Sequence, residues 1–307
     1  HRHQFACYWD ITGGTRAALP RQQTLEASIG WSHDLLTAPE RVLFRRLAAF
    51  SDGATLDDIE AVVGDEVMPS AEVLDLLDRL VAQSLVVADD AGPVLRFRLL
   101  ETVRQYADRQ LDAAGETAWI ADCHMERYLG GLLRVGPDAE YAFDIDEFRW
   151  TAEELENLTH AVRRATAAGR LAEAVDAVWY LSLAWGLVDP PACERLLDVV
   201  VAAWTESGDP SLEPKLRLAR TQLQLWAGNM IQCAVEGFAC IDAARATGDE
   251  WVVMRANTYL GQVVAWVDPD ASLVMHHEAR DAALRMGDPV GATLATVGIA
   301  STYVGVL

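Results

Sequence analysis

"SGDPSLEPKLRLARTQLQLWAGNMIQCAVEGFACIDAARATGDE", residues 207–250, opens and closes on Gly-Asp and holds two helical stretches between. The same punctuation recurs along the chain. Glycines that follow a helix stand at Gly169, Gly208, Gly248 and Gly287, spaced 39, 40 and 39 residues apart. Three of them are Gly-Asp, in "SGDP", "TGDE" and "MGDP". Bulky aromatics keep nearly the same phase at Trp185, Trp226, Trp266 and Tyr303. A fixed period near 40 with two helices per unit indicates a solenoid of TPR-like helical hairpins, because each hairpin buries its apolar face only against the next. Two unrelated residue types sharing one period make the signal strong. The array is predicted over residues 153–307, and it stops after the first helix of a further unit, so a truncated end is expected.

Upstream, residues 24–135 read as short helices and one hairpin. "TLEASIGWSHDLL" places Leu25, Ile29, Ser32 or His33, and Leu36 on one helical face. "TAPERVLFRRLAAF" carries a capping box, Thr37 with Glu40, and Pro39 in the first turn. "TLDDIEAVVG" is a short helix stopped at Gly64. "SAEVLDLLDRLVAQS" shows Val73, Leu76, Leu77, Leu80 and Val81 at helical spacing. Two alternating strands follow, "SLVVA" and "VLRFRLL", joined by the turn chemistry of "DDAGP". Three helices and then a hairpin is the order of a winged helix. Helices over about 100–114 and 117–135 come next, and the carboxylate-rich residues 136–152 read as an acidic linker. The expected fold is mainly α, a winged helix followed by the solenoid.

The chain has 307 residues and a formal charge of −21. Such a field repels nucleic acid and anionic membranes. The candidate recognition helix, residues 70–84, carries Glu72, Asp75 and Asp78 against Arg79 alone, the wrong sign for a major groove. Arg96 and Arg98 on the wing make a weak footprint. No apolar run reaches the roughly 18–20 residues of a membrane span. "HRHQFACYWD" at the N-terminus lacks the apolar core of a signal peptide. Five cysteines without C-x-x-C spacing fit reduced thiols and a cytoplasmic location.

Chemistry is sparse. "HHEAR", residues 276–280, misses the H-E-x-x-H spacing of a zinc site and reads as a solvated helix face. Cys123 and His124 are adjacent, so their side chains diverge on a helix. "FDIDEF" at 143–148 lacks the glycine and spacing of a calcium loop. No nucleophile elbow appears. No catalytic, metal or cofactor site is expected. The repeated aromatics Trp185, Trp226 and Trp266, with Tyr303, either fill the seams between hairpins or line a groove for a peptide or small effector. Trp179, Tyr180 and Tyr259 share that ambiguity.

"ALPRQQTLEASIGWSHDLLTAPERVLFRRLAAFSDGATLDDIEAV" and "LRFRLLETVRQYADRQLDAAGE" resemble the winged-helix segment of large bacterial STAND-type regulators of the LuxR family. "ELENLTHAVRRATAAG" resembles the segment that opens their TPR array. The likeness is specific over residues 13–170 and generic beyond. In that family a P-loop NTPase, sometimes behind a cyclase-like domain, precedes the winged helix, and a LuxR-type DNA-binding domain often follows the array. The resemblance therefore implies that residues 1–23 are a remnant of the connector from the NTPase, with Gly13 and Gly14 as its hinge. Arg16 and Arg21 are then candidate switch residues, facing nucleotide phosphates or an acidic NTPase surface. The chain's one lysine, Lys215, stands in "LEPKLRL", where no Walker A loop is possible. It also implies that the winged helix packs on the NTPase rather than on DNA.

The expected function is a non-catalytic sensor fragment of such a regulator, coupling effector or partner binding on the repeats to an NTPase outside the chain. The alternative is a stand-alone TPR-like interaction scaffold. Neither needs a cofactor, a membrane or direct nucleic-acid contact. Apolar residues Leu294, Val297, Ile299, Tyr303 and Val304 spread around the last helix, so self-association through that end, or a frayed final helix, is also expected.

Overall fold

The structure, a computed structural model, describes residues 26–92, 94–135, 145–185 and 189–306. Gly13, Gly14, Arg16 and Arg21 lie outside the described residues, as does most of the expected acidic linker. Contacts divide the chain into two units, one ending at Ile120 and the other starting at Ala121.

The first unit is the winged helix. Its elements are α1 (residues 26–34), α2 (Ala38–Arg46), β1 (Ala54–Thr55), α3 (Leu56–Val63), α4 (Ser70–Ala82), β2 (Val87–Asp89), β3 (Arg96–Arg98) and α5 (Glu101–Ala113). The capping box forms as the sequence predicts, with the Thr37 amide donating to Glu40 at 2.7 Å. Ile29, His33 and Leu36 share the buried face of the first helix and its exit. Val73, Leu76, Leu77 and Leu80 of α4 pack with Leu43, Phe44 and Ile59 in the core. The hairpin is in fact part of a three-stranded antiparallel sheet in the order β1-β3-β2. Periodicity could not reveal β1, because two residues show no alternation.

Arg46 ties this unit together and is 3% exposed. Its guanidinium donates to the Val63 carbonyl at 2.7 Å, to Asp65 at 2.8 Å and to Glu116 at 3.2 Å. It also lies 4.6 Å from the Trp119 ring centroid. Arg45 adds a two-pronged pair to Glu116, both contacts at 2.8 Å. One carboxylate thus fastens the end of α2 to the turn after α5.

The second unit is built of antiparallel helices. It takes in most of α6 (Thr117–Val135), then α7 (Ile145–Glu153) and α8 (Leu155–Ala167). Residues 145–152 of the stretch expected as an acidic linker are thus helical, in α7, and the Trp150 ring packs against Gly131. The array continues with α9 (Leu171–Trp185), α10 (Pro190–Ser207), α11 (Glu213–Trp226), α12 (Met230–Thr247), α13 (Glu250–Val264), α14 (Pro269–Met286) and α15 (Pro289–Val306). First helices of successive hairpins, α9, α11, α13 and α15, pack on one another in turn. Each also packs on the second helix beside it.

The predicted glycines are the turns. Gly208, Gly248 and Gly287 each follow a second helix in the left-handed conformation, with φ of +68°, +75° and +72°. A side chain there would be strained. The aspartates beside two of them start the next helix: Asp249 accepts from Val252 N at 3.0 Å and Asp288 from Gly291 N at 2.7 Å.

One contact departs from expectation. His276 is fully buried, not part of a solvated face. It enters between Gly261 of α13 and Gly298 of α15, where neighbours without side chains leave room for a ring. A methyl group at Gly261 would stand 2.7 Å from the imidazole, and one at Gly298 would overlap it. Neither ring nitrogen has a partner among the described residues. Burial, helped by His277, pushes its pKa down to about 4.

Three outcomes follow from these packings. Glu116 is held down to about 2 by its hydrogen bonds from Arg45 and Arg46. A depressed carboxylate stabilises above its unfolded pKa, and the contribution fades as pH falls through the folded one. Glu116→Gln should therefore cost about 3 kcal/mol at neutral pH in urea titrations, and the difference should shrink below about pH 4.5. For His276 the depressed pKa means that protonation favours the unfolded chain. Stability is expected to fall from about pH 6.5 downward, by up to about 3 kcal/mol at pH 4, and His276→Leu should flatten that slope. Gly298→Ala should lose about 1–3 kcal/mol by overpacking, a loss that vanishes in a His276→Ala background.

Candidate functional site

The first helices of the hairpins bring together a group of aromatic and charged side chains drawn from four repeats. Asp176 of α9, Lys215 of α11 and Arg255 of α13 occupy equivalent repeat positions, 39 and 40 residues apart. Trp251 lies at their centre. The Lys215 ammonium is 5.8 Å from its ring centroid and the Arg255 guanidinium 5.2 Å. Each cation has its own carboxylate. Lys215 pairs with Asp176, and Arg255 with Asp288 at 3.4 Å. Trp179 meets Trp251 edge to face, with centroids 5.1 Å apart, and lies 4.8 Å from Tyr180.

A buried polar chain runs beside this cluster. Ser182 donates to Gln222 at 2.8 Å, and Gln222 donates to the Tyr259 hydroxyl at 3.3 Å. Three consecutive first helices are thus joined through side chains that cannot rest unpaired in an apolar interior. Trp179 contributes a buried indole N–H that has no acceptor among the described residues. The outward part of the cluster is Asp176, Tyr180, Lys215 and Trp251, all partly accessible.

Of the residues singled out in the sequence, Trp179, Tyr180 and Tyr259 belong to this site. Trp226 and Trp266 do not. They are 46% and 86% exposed, at or just past the ends of α11 and α13, and neither fills a seam nor joins the cluster. Tyr303 is likewise 56% exposed. Trp185 ends α9, and its side chain is outside what is described. Sequence reasoning missed Trp251, Arg255 and the role of Lys215. The signal was present in the 40-residue spacing of Asp176, Lys215 and Arg255.

The site is suited to recognition. Its charges are paired, and it offers ring faces and amide and hydroxyl groups. A separate groove of about 510 Å³ lies among α12, α13 and α14, with Arg245 and Arg285 on its banks and Asn257 within. The thiols of Cys193, Cys233 and Cys240 are buried, and desolvation raises their pKa values to about 12, 11 and 12. They stay protonated near neutral pH and are poor nucleophiles. His124, beside Cys123, is turned to Asn157 at 3.2 Å. Among the described residues no group of three His, Cys, Asp or Glu side chains could hold a metal ion. No helix among them is long and apolar enough to cross a membrane.

Residues 36–112 match the family described as winged helix-turn-helix domain. That segment is a winged helix-turn-helix domain. Over 92% of its length the chain is 32% identical to proteins of Mycobacterium tuberculosis and Mycobacterium bovis, each named "Putative HTH-type transcriptional regulator". It is homologous to them and spans 37% of their length. A shorter stretch, 38% of the chain, is 39% identical to an uncharacterized Mycobacterium tuberculosis protein, covering 29% of it. A crystal structure of a STAND protein with a tetratricopeptide repeat sensor from Pyrococcus horikoshii aligns with 96% of this chain and 50% of its own, at 12% identity and a TM-score of 0.37.

Gln222→Leu tests the polar chain. It removes the buried bonds that Gln222 makes with Ser182 and Tyr259, so denaturant unfolding should show a loss of about 1–3 kcal/mol.

Proposed function

We propose that this chain is the non-catalytic sensing and coupling region of a STAND-type, LuxR-family transcriptional regulator. The winged helix docks on an NTPase domain outside the chain, and the repeats bind an effector or partner that biases this docking. Homology to HTH-type regulators across both units supports a regulatory role.

The observation that carries the reading is the surface of α4. In a DNA-reading winged helix this element enters the major groove and meets phosphates. Here Glu72, Asp75 and Asp78 are exposed on it, and Arg79 stands 3.8 Å from Glu40. The wing's arginines are engaged within the unit, Arg96 with the Gly53 carbonyl at 3.0 Å and Arg98 with Asp89 at 3.7 Å. Exposed Leu74 of α4 and Val67 just before it give the same face an apolar component. An acidic and apolar face suits a protein partner. Two alternative arrangements of docked and released units then supply the switch, and a ligand shifts them only by binding one better than the other.

Two binding measurements check this. Labelled duplex DNA titrated with the chain at physiological salt should show no anisotropy change up to roughly 100 μM, the weak limit of ordinary non-specific binding. Calorimetry with ATP and magnesium should show no heat of binding. A salt-sensitive DNA complex would mean that the winged helix reads DNA after all, and micromolar ATP affinity would place nucleotide chemistry inside this chain.

A further inference from the structure

We propose that the furrow between the second helices α12 and α14 is a binding site for a short peptide with free, charged ends. It gives the effector of the reading above a seat, and rests on that reading for its regulatory meaning alone. The array supplies its own comparison, because neighbouring repeats carry the same furrow once closed and once open. Between α10 and α12 the space is about 60 Å³, lined by Trp204 and Arg217. The Arg217 guanidinium spans it, donating to Glu213 at 2.8 Å and to Glu236 at 3.2 Å. Between α12 and α14 the space is about 510 Å³. Counting from the turn glycines, Trp204 becomes Ala244 and Arg217 becomes Asn257 one repeat later. The two carboxylates become Val253 and Met275. The ring and the bridge that close one furrow are both missing from the next.

Asn257 is the polar group left in the open furrow. It is 4% exposed, yet its side-chain amide makes no hydrogen bond among the described residues. Buried amides ordinarily find partners, and one left without them is costly. This side chain offers a donor and an acceptor together, the complement of a single peptide group. Val253, Met254 and Ala282 make the surroundings apolar.

Charges of both signs line the rest of the furrow. Asp249 caps α13, and Asp281 pairs with Arg280 at 3.0 Å. Arg245, Arg285, Glu250 and Glu278 have no side-chain partner among the described residues. The two arginines stand at the C-terminal ends of α12 and α14. Glu278 lies two turns back along α14, about 10 Å from Arg285 along the helix axis. Three extended residues reach about the same distance. A tripeptide in the furrow sets its carboxylate at the arginines, its ammonium at Glu278 and a peptide group on Asn257. Glu250, beside the arginines, opposes a more highly charged anion such as a phosphate. A polycation would leave both guanidiniums unmatched.

The test titrates the isotope-labelled chain with an equimolar pool of tripeptides of Ala, Leu, Ser and Gln with free ends, followed by proton–nitrogen correlation spectra. The Asn257 side-chain signals, assigned by their loss in Asn257→Leu, should shift and saturate with an apparent dissociation constant of about 0.1–1 mM. The same pool, acetylated and amidated, should bind about tenfold more weakly. Asn257→Leu should weaken the free pool about tenfold, read from the Arg285 side-chain signal. Ala244→Trp, which restores the ring of the closed furrow, should abolish binding. Circular dichroism checks both folds, and Asn257→Leu, close in size to the native residue, decides the matter if Ala244→Trp does not fold. No shift up to about 10 mM peptide would overturn the inference. So would unchanged binding by Asn257→Leu, equal binding of the blocked pool, or the same shifts produced at lower concentration by pyrophosphate or spermidine alone. Each of these outcomes leaves the regulatory reading standing, because the DNA and ATP titrations decide that separately.

Discussion

The array depends on a turn that only glycine makes cheaply. At Gly208, Gly248 and Gly287 the backbone enters the left-handed region, and the chain reverses with its last helical carbonyls satisfied. After Gly248 and Gly287 the amide of the next aspartate reaches back to the carbonyl five residues earlier, at 2.9 Å in both cases. The same aspartate then caps the following helix. Helix end, reversal and helix start are compressed into two residues. With the turn so constrained, the repeat length holds near 40, and side chains one period apart are brought face to face.

Everything of functional interest in the second unit follows from that alignment. One period brings Asp176, Lys215 and Arg255 around Trp251, in a setting where charges are paired and the Trp179 ring is buried. The same period, read at the C-terminal ends of these helices, sets Trp226 and Trp266 into solvent. A single geometric rule thus yields both the inner cluster and the exposed aromatics.

Legibility in the sequence tracked the range of the interaction. The capping box of Thr37 and Glu40 and the glycine turns were readable because their geometry is settled within a few residues. The aromatic period was readable too, but its direction was not. Trp266 lies two residues beyond its helix, where the 3.6-residue rule no longer says which way a side chain faces. Lys215 drew notice only as a lone lysine, since its partners Asp176 and Trp251 come from neighbouring repeats. His276 looked solvated beside His277 and Glu278. Its burial is decided by two glycines on other helices, at 15 and 22 residues' remove. The short strand β1 is created by β3, more than forty residues later, and has no local signature of its own.

The His276 contact has a consequence for how this fold diversifies. A ring held between two bare stretches of backbone leaves no room for gradual change at any of the three positions. Replacing either glycine while the imidazole stays creates a clash, and shrinking the imidazole first leaves a hole beside two flexible residues. Gly261, His276 and Gly298 therefore form one inherited character rather than three independent ones. Related arrays should carry either the whole trio or a differently packed joint at this hairpin, with few intermediates between them.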